Sequence, residues 1–401
     1  MTGINLDHAA TTPLAAQVLD EMLPYLTTTQ GNPSSVHASG RAARSAVDAA
    51  RDRLAAVLGC AQREIVFTGS GTEADNLAIR GVLERWGAER GNHVVVSAIE
   101  HDAVLETARH FEEAGLARHT IAGCDRDCRV DPEAVAAAVT SATVLVSVMF
   151  VNNETGAVQD VAAIAEAVRR RNPRTLIHTD AVQAFGRIPV HPEVLGIDLL
   201  SLSAHKIYGP KGVGALWVRH GVALAAQNTG GGQERNRRSA TENVAGIVGF
   251  AAAAELAERV RVDEAGRQTL LCERLIAAVR GYVPDAIVTA AGASRAAGFA
   301  TFAFPGVRSD VLLAALDMDG VEASAGSACA SGAPLPSHVL RAMGYPDDLA
   351  GGALRCTTGR ATTTGDVDAA ASLIGAAVAR VRERVPARVS DRVGAAAPAG
   401  A

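Results

Sequence analysis

Three stretches of this 401-residue sequence carry residue types able to do covalent chemistry. In Asp198-Leu-Leu-Ser-Leu-Ser203-Ala-His205-Lys206-Ile-Tyr-Gly-Pro-Lys211-Gly-Val-Gly, an apolar strand delivers Ser203, His205 and Lys206 to a glycine-rich turn. A loop lysine is ordinarily solvated, but one at the end of a buried strand loses support for its charge, and a neutral amine can form a Schiff base. Upstream, the strand Thr175-Leu-Ile-His-Thr179 ends in Asp180-Ala-Val-Gln183. Alone, Asp180 reads as a helix N-cap. Beside a reactive lysine it can keep a pyridine nitrogen protonated, which pyridoxal 5'-phosphate (PLP) needs to act as an electron sink, with Gln183 donating to the phenolic oxygen. The third stretch, Glu322 to Pro334, holds Cys329 among small residues. Such residues either pack tightly or anchor a loop weakly and leave it mobile. A cysteine exposed on a mobile loop becomes a nucleophile once a neighbour lowers its pKa.

Other polar residues stand where strands should end. Gly69-Ser-Gly71-Thr72-Glu-Ala74 follows the strand Glu64–Thr68 and opens a helix, so free backbone N–H groups and the helix dipole favour a phosphate there. The string also fits the dinucleotide pattern GxGxxA, but the next strand, His93–Ser97, lacks the acid that pattern expects at its end. His101 follows that strand and Asn153 follows Val144–Val151. Each reads locally as a cap or turn former; otherwise the imidazole can stack on an aromatic cofactor and the amide can bind a carboxylate. Arg355 is either a surface ion-pair partner or a two-pronged carboxylate binder. Cys124 and Cys128 resemble half of a metal site, yet no second pair of Cys or His follows, and no metal is expected.

The elements that must position these residues alternate. Between the strands, to which Asp198–Ser203 and Gly214–Val218 are added, lie amphipathic helices over Ser39–Leu58, Glu73–Trp86, Asp102–Ala114, Pro132–Val139 and Val161–Arg171. This predicts an α/β protein whose mostly parallel sheet is covered on both faces, with ligands beyond the carboxyl ends of its strands. From about residue 255 a long charged helix, Ala251–Val279, leads to short strands, Ala286–Thr289 and Ala300–Phe304, and a last helix, Asp366–Arg384. Residues 15–255 are expected to form a large domain, residues 1–14 and 256–387 a smaller α/β domain carrying Cys329, and residues 388–401 a disordered Ala/Gly/Pro-rich tail.

Composition sets bounds. A net charge of −5 argues against direct nucleic-acid binding. No apolar run reaches the ~18 residues of a membrane span, and the first residues do not read as a secretory signal. Six cysteines are too sparse for a disulfide scaffold, so a reducing cytoplasm is expected.

Taken together, the residues resemble the cysteine desulfurases of the NifS/IscS type, within the class V aminotransferase group of fold-type I PLP enzymes. The likeness rests on Leu6-Asp7-His8-Ala-Ala-Thr-Thr-Pro13, Gly31–His37, Phe67–Asn76, Glu100-His101, Val151-Asn-Asn153-Glu154-Thr-Gly156, Asp180-Ala-Val-Gln183, Ser201–Gly214, Gly230–Arg235 and Gly326-Ser-Ala-Cys329, in this order through most of the chain. It implies a seven-stranded sheet in the large domain and a homodimer. Lys206 would carry PLP and move protons at the substrate α-carbon. Asp180 would pair with the pyridine nitrogen, Gln183 with the phenolic oxygen, and His101 would stack on the ring. Gly71, Thr72, Ser203 and His205 would bind the phosphate, with Thr241 reaching it from the partner subunit. Asn153 and Arg355 would hold the carboxylate of L-cysteine, and Cys329 would take its sulfur as a persulfide, leaving L-alanine. The persulfide would pass to an acceptor such as an iron–sulfur scaffold or a tRNA-thiolation enzyme. Ala240 and Asn236 depart from the family by standing where glycine is common.

Overall fold

The computed structural model describes residues 3–326 and 336–384. Cys329 and residues 327–335 around it lie outside the described residues, as does the C-terminal tail from residue 385.

Seven strands form the main sheet: β1 (Ile65–Thr68), β2 (His93–Ser97), β3 (Arg118–Ala122), β4 (Thr143–Ser147), β5 (Leu176–Asp180), β6 (Leu199–Ser203) and β7 (Gly214–Val218), in the order β1-β7-β6-β5-β4-β2-β3. All neighbouring pairs are parallel except those of β7, which runs antiparallel to both β6 and β1. Strands β1, β2, β4, β5 and β6 therefore release their chains at one edge. β1, β2, β4, β6 and β7 are buried along their whole length, because helices cover both faces. Those helices include α1 (Ala38–Leu58), α2 (Gly71–Arg90), α3 (Asp102–Glu113) and α4 (Val161–Arg171).

Two expectations need correction. The strand Val144–Val151 ends at Ser147: Val148 and Phe150 still donate to the carbonyls of His178 and Asp180, but the chain turns out of the ladder toward Asn153. Strand β3 was not expected from the sequence. It is an edge strand with mostly exposed side chains, so Arg-His-Thr-Ile-Ala lacks the apolar run of its neighbours.

The 39-residue helix α5 (Val244–Tyr282) packs its first half into the large core and contributes Leu271, Cys272, Leu275 and Val279 to a second one. That second core also holds Leu6, Phe302, Phe304, Leu354, Cys356 and one face of α6 (Thr364–Arg384). Its sheet pairs β8 (Phe299–Ala303) with β9 (Ala353–Thr357), antiparallel. Residues 339–353 pack against the large core instead. Leu6 begins the segment that binds the two parts: its carbonyl receives the amide of Thr357, and Thr12 and Ala15 donate to His205 and Tyr208 of the turn after β6.

Candidate active site

Of the residues expected to take part in cofactor binding, substrate binding or catalysis, all but Thr241 and Cys329 line one cavity of about 190 Å³ at the carboxyl edge of the sheet: Gly71, Thr72, His101, Asn153, Asp180, Gln183, Ser203, His205, Lys206 and Arg355. Thr241 lines a different hollow, with Gly69, Gly212 and Arg238, and Cys329 falls outside the described residues.

Each strand end supplies one group. After β1, the Ser70 hydroxyl caps α2 by accepting from the amide of Glu73, while the Glu73 carboxylate takes the amide of Gly69 and a two-pronged bond from Arg238. This fixes the turn so that the helix N-terminus opens into the cavity. A Cβ at Gly71 would lie 2.8 Å from the side chain of Val182, so glycine lets the turn approach the chain leaving β5 this closely, with the side chain of Ser203 in ordinary contact at 3.4 Å. The Ser203 hydroxyl is buried and has no hydrogen-bond partner among the described residues. A buried unpaired hydroxyl beside an open helix N-terminus suits a phosphate. His205 contributes an imidazole held neutral: burial, then the charges of Lys206 and Lys211, lower its pKa to about 4.

Lys206 ends the short turn after β6, where Nζ donates to the carbonyls of Ala9 and Ala10 at 2.6 and 2.7 Å. Gln183 Nε2 donates to the same Ala9 carbonyl at 2.9 Å, and its Oε1 has no partner among the described residues. Asp180 closes β5, 5% exposed, with Oδ1 accepting from the amide of Val182 at 2.8 Å. Burial raises its pKa; His101, the Val182 amide and Lys206 act against that. A bound cation would tip the balance to the carboxylate, so a pyridinium nitrogen fits this position. His101 caps α3, its Nδ1 accepting from Ala103 at 3.0 Å.

Behind these residues is a polar layer that the sequence reading did not assign. His178, fully buried, lies between Ser147 and Ser201 at 2.8 and 2.9 Å, with Asp75 3.6 Å away. Burial lowers the His178 pKa to about 3 and raises that of Asp75, which the charge of Asp180 raises further. Glu100 takes bonds from Ser97 and from the Met149 amide, and burial lifts its pKa to about 8. The available signal was polar residues inside apolar strands: His178 is two residues before Asp180, and Ser201 two before Ser203, so each pair shares a sheet face.

The outer wall is built from distant segments. Arg355 on β9 is 3% exposed; Nη1 donates to the Asn153 carbonyl at 2.8 Å and Nη2 to Asp7 at 3.0 Å, while Nε has no partner among the described residues. Asp7 also accepts from Ser324, whose backbone pairs with Arg355. Asn152 shapes the turn that presents Asn153, its Oδ1 accepting from the amides of Glu154 and Thr155 and its Nδ2 donating to Ile99. Near Thr241, the unusual Asn236 lies in the left-handed region at φ 61°, after Glu234 and Arg235 at 48° and 57°. Glycine would adopt that conformation at no steric cost. Here a buried bidentate pair between Glu234 and Arg51, at 2.7 Å, holds the turn.

The cavity thus offers an anion pocket, a carboxylate for a cationic ring, an amine and a guanidinium, in reach of one small molecule. The family profile described as Aminotransferase class-V matches residues 4–370. A protein named cysteine desulfurase IscS from Dictyoglomus turgidum is 40% identical over 383 residues, 96% of each chain. A protein of the same name from Anaeromyxobacter dehalogenans is 44% identical over 386 residues, 96% of this chain and 94% of the other. The solved structure of a NifS-like protein superposes with a TM-score of 0.88 at 34% identity, covering 94% of this chain and all of that one. By sequence and fold this chain belongs to the class-V aminotransferases, in their cysteine desulfurase branch.

Proposed function

We infer that the protein is a PLP-dependent cysteine desulfurase, releasing L-alanine from L-cysteine and passing the sulfur to Cys329. The observation that carries this reading is the convergence of Lys206 Nζ, the buried Asp180 carboxyl and the unpaired Ser203 hydroxyl on a single cavity. Lys206 would carry PLP covalently through Nζ. Asp180 would hold the ring nitrogen protonated, Gln183 would face the phenolic oxygen and His101 the ring. Gly71, Thr72, Ser203 and His205 would take the phosphate. When bound, PLP supplies the electron sink that labilises the substrate's bonds. Arg355 and Asn153 orient the substrate carboxylate, which puts the α-proton toward Lys206; that amine takes the proton and later returns one. The Cys329 thiolate attacks the substrate sulfur: the S–S bond of a persulfide forms as the C–S bond breaks, and the electron pair of that bond passes to the substrate carbon, which takes a proton to give L-alanine.

Thr241 lies outside this chain's own cavity, which supports a homodimer in which it serves the partner's site. We divide the chain into residues 15–255 against 1–14 and 256–387; the second core, built from Leu6 and from residues within 271–283 and 367–381, supports a smaller unit, while residues 339–353 of that unit pack onto the large core. Among the described residues no helix is long and apolar enough to cross a membrane. We place the enzyme in the cytoplasm, donating sulfur to an iron–sulfur scaffold or a tRNA-thiolation enzyme.

The test is the Cys329→Ser variant. It should bind PLP, be trapped on Lys206 by borohydride, and form no persulfide from L-cysteine. Full turnover by that variant would remove Cys329 from the assignment, and borohydride labelling elsewhere than Lys206 would remove the lysine.

A further inference from the structure

Two points of the chain that are eleven positions apart meet on one side chain beside the cavity, that of Glu154. Glu154 belongs to the turn that presents Asn153, but the turn is held by Asn152. Asn152 Oδ1 accepts from the amides of Glu154 and Thr155 and from the Thr155 hydroxyl, and the Asn152 carbonyl accepts from the Gly156 amide. The Glu154 carboxyl makes none of these bonds. It belongs to a residue only 4% exposed, its Oε2 accepts from the Ser337 hydroxyl, and its Oε1 has no partner among the described residues.

Gly326 lies against the same carboxyl. It sits at φ 73°, and a Cβ there would be 2.8 Å from Oε2 and 3.2 Å from Oε1 of Glu154. Any other residue would strain the backbone and displace the carboxyl, so glycine is needed on both counts. Residues 327–335, Cys329 among them, connect Gly326 to Pro336 and Ser337.

The two points belong to different parts of the fold. Ahead of Gly326, Val321 is part of the second core, and Ser324 pairs through its backbone with Arg355 and donates to Asp7. Past the Cys329 segment, the Ser337 hydroxyl caps the helix His338–Ala342 by accepting from the Leu340 amide at 3.1 Å. His338 Nε2 donates to the Glu100 carbonyl at 3.0 Å, and Val339 and Leu340 join the large core. Glu154 therefore joins a chain arriving from the second core to one returning to the first. Burying a carboxyl with one oxygen unpaired is costly, and an apolar side chain would fill the space without that cost. What the acid adds is an acceptor for Ser337 and a flat group that can lie on Gly326.

We propose that Glu154 is a positioning residue for sulfur transfer, holding Gly326 and Ser337 beside Asn153 so that Cys329 is delivered to the substrate sulfur. The inference rests on the assignment of Cys329 as sulfur acceptor. Glu154 does not line the cofactor cavity, so the steps before sulfur transfer do not depend on it.

The experiment compares two reactions of the full-length, PLP-loaded enzyme. Single-turnover persulfide formation on Cys329 from L-cysteine, followed by mass spectrometry, needs the acceptor. Exchange of the L-alanine α-proton for solvent deuterium, followed by proton NMR, needs Lys206 and PLP but no acceptor. Glu154→Ala should slow persulfide formation roughly tenfold or more and leave the exchange at the wild-type rate, which also shows that the variant folds. Glu154→Gln keeps an acceptor for Ser337 and should recover most of the loss. Ser337→Ala removes the same bond from its other end; it should slow persulfide formation alone, and adding it to Glu154→Ala should cost little more. The proposal is overturned if Glu154→Ala forms the persulfide at the wild-type rate, or if both reactions slow together, which would place its effect on the substrate site or the fold. A wild-type enzyme that exchanges the α-proton but never carries a persulfide on Cys329 would remove the assignment of Cys329, and this inference with it.

Discussion

The inner wall of the cavity descends from one sheet. Gly71 and His101 follow, and Asp180 and Ser203 close, four strands that end at the same edge, and the groups behind them, Asp75, His178, Ser201 and Glu100, are buried. The outer wall collects Asp7, Asn153, Ser324 and Arg355 from segments far apart in sequence and ties them by ion pairs and backbone carbonyls. The inner wall avoids charge wherever burial is complete: His178 is held neutral and Glu100 protonated at neutral pH. The outer wall keeps a guanidinium. A neutral, densely bonded floor holds a cofactor in one orientation, whereas a cation at the rim selects an anionic substrate. In the proposed assignment, damage to the floor should therefore lower kcat, and damage to the rim should raise KM.

The largest effect is expected at Lys206. Lys206→Ala removes the group that carries PLP and moves the α-proton, and single-turnover alanine formation should fall by about a thousandfold or more. Asp180→Asn comes next, with kcat down about a hundredfold or more and KM little changed, because the ring nitrogen loses its partner while the rim is untouched. The visible absorbance of the loaded variant should shift as well. An Asp180→Asn enzyme with normal kcat would end the comparison at its inner side.

At the rim, Arg355→Ala removes a charge-assisted bond worth about 1.5–3 kcal/mol, roughly ten- to a hundredfold in KM for L-cysteine. Its kcat should change less. Arg355→Lys keeps the charge but not the fork, and should recover only part of the loss. A variant with unchanged KM and depressed kcat would show that the two walls do not divide the work.

The same contrast explains what could be read from the sequence. A parallel strand buried on both faces has to be an apolar run, so the strands ending in Asp180 and Ser203 were visible, as were the polar residues just past them. The turn at Gly71 was legible because a glycine-rich turn opening a helix has one electrostatic use. Asp7 left no such trace. Its partner Arg355 is brought to it only when residues 4–8 join the second core, a contact of high sequence separation with no local periodicity. Strand β3 was missed because an exposed edge strand needs no apolar pattern. The tight pairing of Ser147 with His178 was hidden because the sequence shows polar residues in strands but not which strands are neighbours.

The smallest effect expected tests the neutrality of the floor. Glu100 has a folded-state pKa near 8, raised by burial from about 4.5, so the folded protein holds this proton where the unfolded chain releases it. Between those values the folded state binds more protons, and stability falls as pH rises. Glu100→Gln keeps a donor and an acceptor at the same place but cannot ionise. Its Tm should therefore gain on that of the wild type by a few degrees as pH is raised from about 5.5 to 8.5. His178, with its pKa lowered to about 3, works in the opposite direction, losing stability as pH falls below its ordinary value, but it is present in both proteins and cancels from the difference. A Tm difference that stays constant over this range would mean that Glu100 carries the same charge folded and unfolded. The floor would then hold a buried anion close to Asp180, and the contrast between a neutral inner wall and a charged rim would have to be abandoned.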